Sequence, residues 1–176
     1  MTDKTRLRAE LRTARRSACG AIPVWQSFTT LLSPGLIVAS YVPVGGEADP
    51  APLERAALAA GCRLALPHVV DRATPLVFLA WDTGVGLTDG PFGLRQPAAH
   101  HPPLAPDIVL TPLVGFDRSG NRLGQGAGHY DRAFAAFPKA RRVGIAFAVQ
   151  ETDRLTPDPW DVPLHAIATE REWIVP

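Results

Sequence analysis

Residues 115–132 read Gly-Phe-Asp-Arg-Ser-Gly-Asn-Arg-Leu-Gly-Gln-Gly-Ala-Gly-His-Tyr-Asp-Arg, and what flanks them decides the fold. Upstream, 107–111 is a short apolar run of the kind that forms a buried strand; downstream, 130–137 has helical spacing. Between them Gly124, Gly126 and Gly128 alternate, so backbone N–H groups can approach a ligand with no side chain in the way. A glycine loop that leaves a strand and opens a helix suits a phosphate, whose charge meets both the amides and the helix dipole. Arg122 supplies a candidate bidentate contact. The spacing is G-x-G-x-G, neither the dinucleotide G-x-G-x-x-G nor a loop ending in Gly-Lys-Ser/Thr. A glycine-rich turn carrying a solvated arginine is the competing reading.

The strand–helix alternation extends outward in both directions. Residues 36–42, 63–66, 76–81, 143–147 and 166–169 read as further strands, the first two halted by Pro43 and Pro67. Helical patterns cover 3–18, opened by Thr2 or Asp3, then 24–32, stopped by Ser33-Pro34-Gly35, and 50–60, ended by Gly61. Residues 82–106 are rich in Gly and Pro and read as surface loop. This order predicts an α/β fold, a three-layer sandwich with a mainly parallel sheet between helices, in one domain over 1–176. Ligands of such sheets bind beyond the carboxyl ends of the strands, which here release the loops 43–49, 112–129 and 148–161.

Composition narrows the class. With 176 residues, 46% hydrophobic and 20% charged, the chain can bury its own core without disulfide or metal. Its 18 Pro and 15 Gly fall short of a low-complexity chain, which excludes collagen, coiled coil and wholesale disorder. The net charge is +1, but residues 1–16 hold Lys4, Arg6, Arg8, Arg12, Arg15 and Arg16 against Asp3 and Glu10. The rest of the chain is therefore mildly acidic, which points to a local anion site rather than a polyanion surface. Lys4, Arg8, Arg12 and Arg16 recur every four residues as a basic stripe beside Leu7 and Leu11. Cys19 and Cys62 lie far apart with no CxxC spacing, as in a reducing compartment. No apolar leader and no run of membrane-spanning length is apparent, so a cytoplasmic protein with no membrane partner is expected. The adjacent His100 and His101 suit a solvated loop better than a metal site, and the four tryptophans suit core or rim.

The loop 115–132 resembles the signature of the 5-formyltetrahydrofolate cyclo-ligase family, Phe-Asp-x-x-Gly-x-Arg-Leu-Gly-x-Gly-x-Gly-Tyr-Tyr-Asp. Phe116, Asp117, Gly120, Arg122, Leu123, Gly124, Gly126, Gly128, Tyr130 and Asp131 fall in register. Lys4 and Arg8 resemble the family's N-terminal Lys-x-x-x-Arg, and Glu47 follows a strand as its substrate-contacting Glu does, with Val42 on the preceding substrate side. Residues 147–150 are similar to its Phe-x-x-Gln segment and Asp161-Val-Pro163 to its late Asp-x-Pro motif.

The resemblance implies a fold similar to sugar-phosphate isomerases and CoA transferases. It implies ATP-driven, Mg²⁺-dependent closure of 5-formyltetrahydrofolate to 5,10-methenyltetrahydrofolate, giving ADP and phosphate, by a monomer with no nucleic-acid partner. In that scheme Arg122 and Lys4 are catalytic. ATP is held by Lys4, Arg8 and the run Arg122, Leu123, Gly124, Gln125, Gly126, Ala127, Gly128, His129 and Tyr130. The folate meets Val42, Glu47, Gln125 and His129, and Asp131 and Asp161 hold the metal. Each residue also has a plainer reading: Lys4 and Arg8 as a solvated helix face, Asp131 at a helix N-terminus, Asp161 in a turn, Glu47 as a loop acid.

Four positions depart from the pattern. His129 stands for the first of two tyrosines, Gln125 and Ala127 leave the loop with fewer cations, and Trp160 replaces a common histidine before Asp161. Two other functions compete. One is a catalytically silent relative that binds folate or nucleotide. The other is a nucleic-acid module built on the basic helix, against which the acidic remainder of the chain argues.

Overall fold

Residues 3–176, which the computed structural model describes, alternate strands and helices much as the apolar runs predict. Helix α1 (Asp3–Arg16) is followed by the four-residue α2 (Gln26–Thr29), β1 (Ile37–Ala39), α3 (Ala51–Ala59), β2 (Arg63–His68) and β3 (Val77–Trp81). A small hairpin, β4 (Thr88–Asp89) and β5 (Arg95–Gln96), leads to β6 (Ile108–Pro112). A second hairpin, β7 (Gly115–Phe116) and β8 (Arg122–Leu123), precedes α4 (His129–Ala136), β9 (Arg141–Ile145), β10 (Ala166–Ala168) and β11 (Trp173–Ile174). Thr2, one candidate for opening α1, lies outside the described residues.

Seven strands form one sheet in the order β11-β10-β9-β6-β1-β2-β3. The five inner strands are parallel, and an antiparallel strand closes each edge. From β1 the chain winds one way to β2; from β6 it winds the other way to β9 and β10. The strand order thus reverses between β1 and β6, and the loops leaving their carboxyl ends diverge into a crevice.

The period-two alternation of the strands divides the core between the two faces. Val38, Leu64 and Leu110 join Phe28, Leu53 and Ala57 under α2 and α3, while Ala39, Ala65 and Val109 join Ala133 and Phe134 of α4. Helix α1 belongs to neither layer. Its Leu11 and Leu7 pack on Val114, Leu123 and Leu155, which lays it over the β7–β8 hairpin at the carboxyl end of the sheet.

Several boundaries differ from the sequence expectation for physical reasons. The helix expected over 24–32 shrinks to α2 because Leu31 and Leu32 bond back three residues, to Phe28 and Thr29, as tight turns. Strand β2 continues through Pro67 because its register with β1 ends at Ala65, leaving Pro67 only β3 to pair with. The strands expected over 36–42 and 143–147 are narrower or earlier, as β1 and β9. Residues 82–106 hold the β4–β5 hairpin and a turn in which Phe92 adopts φ 61°. Three tryptophans pack on the core as expected, whereas Trp160 is 69% exposed. No helix among the described residues is long and apolar enough to cross a membrane.

Candidate active site

Packing of Leu7 and Leu11 sets which face of α1 meets the glycine loop. Arg8 Nε donates to Gly124 O at 2.8 Å, and Arg12 Nη2 donates to Gln125 Oε1. Lys4 Nζ stands 2.6 Å from Asp158 Oδ2 and 3.6 Å from Asp161 Oδ2. The expected fourth member of the stripe, Arg16, is exposed to solvent, and Arg15 turns inward instead. At about 100° per residue Arg15 falls roughly 20° from Lys4 around the helix, whereas Arg16 falls roughly 120° away.

The hairpin that carries the loop is built on Asp117, which is buried. Its Oδ1 accepts the N–H groups of Ser119 (3.0 Å) and Asn121 (3.1 Å). Its Oδ2 accepts Asn121 Nδ2 and the N–H of Leu155, both at 2.9 Å. One carboxylate therefore closes the β7–β8 turn and ties it to the 155–163 segment. After the glycines, Gly128 takes φ 67°, a left-handed conformation in which a side chain would be strained, and starts α4. Arg132 braces this corner by donating to Ala127 O at 3.0 Å and meeting His129 Nδ1 at 3.1 Å.

Arg122 is more firmly held than a free phosphate ligand. Its side chain is 6% exposed, Nη2 pairs with Asp131 Oδ1 at 2.5 Å, and Nη1 donates to Val162 O. The guanidinium also lies 4.7 Å from the centre of the Phe134 ring. Asp131 Oδ1 accepts the Val162 N–H at 3.2 Å, and Asp161 Oδ2 accepts the Asp158 N–H at 2.8 Å. Lys4, Arg122, Leu123, Thr156 and Asp161 line one small cleft. The structure thus brings together Lys4, Arg122, Asp131 and Asp161 from α1, β8, α4 and the 155–163 segment.

Across the strand-order reversal, Glu47 stands on the loop after β1. Its Oε2 accepts the Val44 N–H at 3.1 Å, and its Oε1 is 3.3 Å from Gln125 Nε2 and 3.7 Å from Arg15 Nη1. Burial pushes the Glu47 carboxyl up, against the Val44 N–H, Arg15 and Gln125, which favour its charged form. Tyr130 packs on Phe134, and burial with the nearby Glu47 charge pushes its phenol up. Burial and the Arg132 charge lower the His129 imidazole. Val42 is half-buried on the Glu47 loop, and His129 half-buried where the glycine loop enters α4.

Two contributors escaped the sequence reading. Arg15 had a signal in its helical angle; Asp158 had only its place three residues before Asp161.

The profile of the 5-formyltetrahydrofolate cyclo-ligase family matches residues 1–170. The chain belongs to that family. It is 32% identical to the 5-formyltetrahydrofolate cyclo-ligase of Mycolicibacterium smegmatis over 98% of its own length and 96% of the relative's. It is 34% identical to the enzyme of that name from Escherichia coli K12, over 75% and 76% of the two chains. Among solved structures, it is similar to 5,10-methenyltetrahydrofolate synthetase from Aquifex aeolicus, with a TM-score of 0.78, 28% identity and coverage of 99% and 93%. The synthetase from Mycoplasma pneumoniae matches with a TM-score of 0.71, 25% identity and coverage of 96% and 99%. The family expected from the loop and the α/β fold expected from the strand order are both borne out.

Proposed function

We propose that the chain converts 5-formyltetrahydrofolate to 5,10-methenyltetrahydrofolate with consumption of ATP, releasing ADP and phosphate. The observation that carries this reading is the convergence of Lys4, Arg122, Asp131 and Asp161 beside a glycine loop whose other side reaches Glu47. A formamide oxygen is a poor leaving group and must be activated. In the proposed sequence the formyl oxygen takes the γ-phosphoryl group as the bond to ADP breaks. N10 then attacks the formyl carbon, the carbon–oxygen bond breaks with phosphate leaving, and N10 loses its proton.

Phosphoryl transfer asks a protein for positioning and for charge at the moving group. The open backbone of Gly124–Gly128 with Lys4 and Arg8 suits the phosphates, and the guanidinium of Arg8 already lies beside Gly126. Arg122, oriented by Asp131 and Val162 O, places a fixed positive charge at the cleft. Glu47 and Gln125 offer hydrogen-bond partners to the folate at the far end of the loop.

Mg²⁺ fits the donors present. Asp131 and Asp161 each use one oxygen within the protein, while Asp131 Oδ2 and Asp161 Oδ1 accept no hydrogen bond among the described residues. No cluster of three or more His, Cys, Asp or Glu able to hold a metal occurs among those residues. Two acids suffice for an ion that completes its shell with water and phosphate oxygens and neutralises phosphate charge.

The test is to mix the protein with 5-formyltetrahydrofolate, ATP and Mg²⁺ and follow the near-ultraviolet band of methenyltetrahydrofolate. Growth of that band only with nucleotide supports the reaction. A folded protein that binds ATP and yields no band is instead a silent relative.

A further inference from the structure

We infer that Arg15 is a positioning residue that anchors the loop carrying Glu47 and balances the Glu47 charge for the folate substrate. The inference rests on the reading of Glu47 above. Arg15 lies in the last turn of α1, yet only 3% of its side chain is exposed, and the Glu47 side chain opposite is 5% exposed. Its Nη2 donates to Gly45 O at 2.7 Å, and its Nη1 donates to Leu113 O at 3.3 Å while standing 3.7 Å from Glu47 Oε1. Gly45 lies on the loop after β1, and Leu113 directly follows β6. One guanidinium therefore bridges the two loops that diverge where the strand order reverses.

The surroundings are built for this contact. Gly45 takes φ 58°, and a Cβ there would sit 3.4 Å from Arg15 Nη2. Gln150 Nε2 independently fixes the Leu113 carbonyl at 2.8 Å. A buried guanidinium is costly unless a charge compensates it, and this one leaves Nε without a partner among the described residues. A helix arginine serving only solubility would extend into water, as Arg16 does.

The division of labour at Glu47 follows. Val44 and Gln125 hold its two oxygens by hydrogen bonds, and Arg15, beyond hydrogen-bond range, balances its charge. Each carboxylate oxygen keeps a further lone pair for a donor on the substrate. The other ionisable groups acting on the pair are Arg12 and Arg16 on α1, Tyr41 just after β1 and Tyr130 on α4, while Asp49 and Glu54 act on Tyr41. Burial holds both phenols protonated, so they add no charge. Without the Arg15 charge the Glu47 carboxyl rises further. Substrate binding that needs the carboxylate then fails at a higher pH.

Steady-state kinetics of the full chain across the acid range test the assignment. Arg15→Met is expected to raise KM for 5-formyltetrahydrofolate about tenfold and to move the acid limb of kcat/KM about one unit upward. KM for ATP should stay within about twofold. Arg15→Lys keeps a charge but not the fork, and is expected to shift the limb the same way by less. In Glu47→Gln, replacing Arg15 should leave the limb where it was. If Arg15→Met does not fold, the limb of Arg15→Lys with and without Glu47→Gln decides. An unmoved limb, or KM values for both substrates rising together, overturns the assignment. Absence of turnover in the wild-type chain would overturn the proposed reaction instead.

Discussion

The ammonium of Lys4 sits 2.6 Å from the carboxylate of Asp158, an acid outside the glycine-loop pattern, with Asp161 farther off at 3.6 Å. The Asp158 N–H bonds Asp161 Oδ2 and the Asp161 N–H bonds Asp158 O, so the two acids share one turn. A nucleotide phosphate that engages Lys4 must draw it from Asp158. Both partners are partly exposed, and such a pair is worth about 0–1 kcal/mol. Asp158→Asn should therefore lower KM for ATP by about two- to fivefold, while Lys4→Ala should raise it about tenfold with kcat less affected. If Lys4→Ala leaves KM for ATP unchanged, Lys4 is a surface residue.

Arg122 joins the cleft to the helix behind it. Arg122→Ala removes positive charge at the cleft and leaves Asp131 without its cation, so turnover should fall by at least about a hundredfold. Arg122→Lys keeps the charge but cannot reach both Asp131 and Val162 O in the same fork, and should fall between the two. A wild-type kcat in Arg122→Ala would mean that the glycine loop does not hold the transferring group.

Asp117 is a stability residue by its contacts. It is 2% exposed and takes four hydrogen bonds, three from backbone N–H groups. Asp117→Ala leaves those donors unpaired and should cost about 3 kcal/mol or more, read as a lower urea midpoint with the slope retained. The 155–163 segment loses its tie at Leu155, so activity should drop as well. A midpoint within error of wild type would show that water replaces the lost acceptor.

How much of this was legible depends on how local the signal is. The glycine loop and Glu47 are short motifs beside strand ends, the basic stripe is a helical period within α1, and the parallel order of the sheet follows from alternating patterns. The hairpin inside the loop was not legible, because β7 and β8 are two residues each and carry no period; Asp117 and long-range pairing make it. Strand β11 escaped for the same reason. The sequence pattern makes Arg122 and Asp131 separate ligands of phosphate and metal, but their direct pairing depends on α4 folding back over β8, which spacing does not show. The Arg15–Glu47 pair spans two elements that meet only when α1 lies over the sheet end.

His129 provides a pH test separate from Glu47. Burial and the adjacent Arg132 lower its imidazole below the usual histidine value, with Asp71 opposing. It is therefore neutral at physiological pH and gains charge only on further acidification. A group depressed in the folded state contributes stability that is complete above its unfolded pKa and is lost as pH falls through the folded one. Substrate affinity should weaken over the same window, because the new charge arises 3.1 Å from Arg132 at the entrance of the helix. In His129→Tyr that component of the KM profile should vanish while the Glu47 component remains. Histidine proton shifts followed by NMR would locate the titration directly. An identical pH profile in His129→Tyr would remove His129 from the binding site.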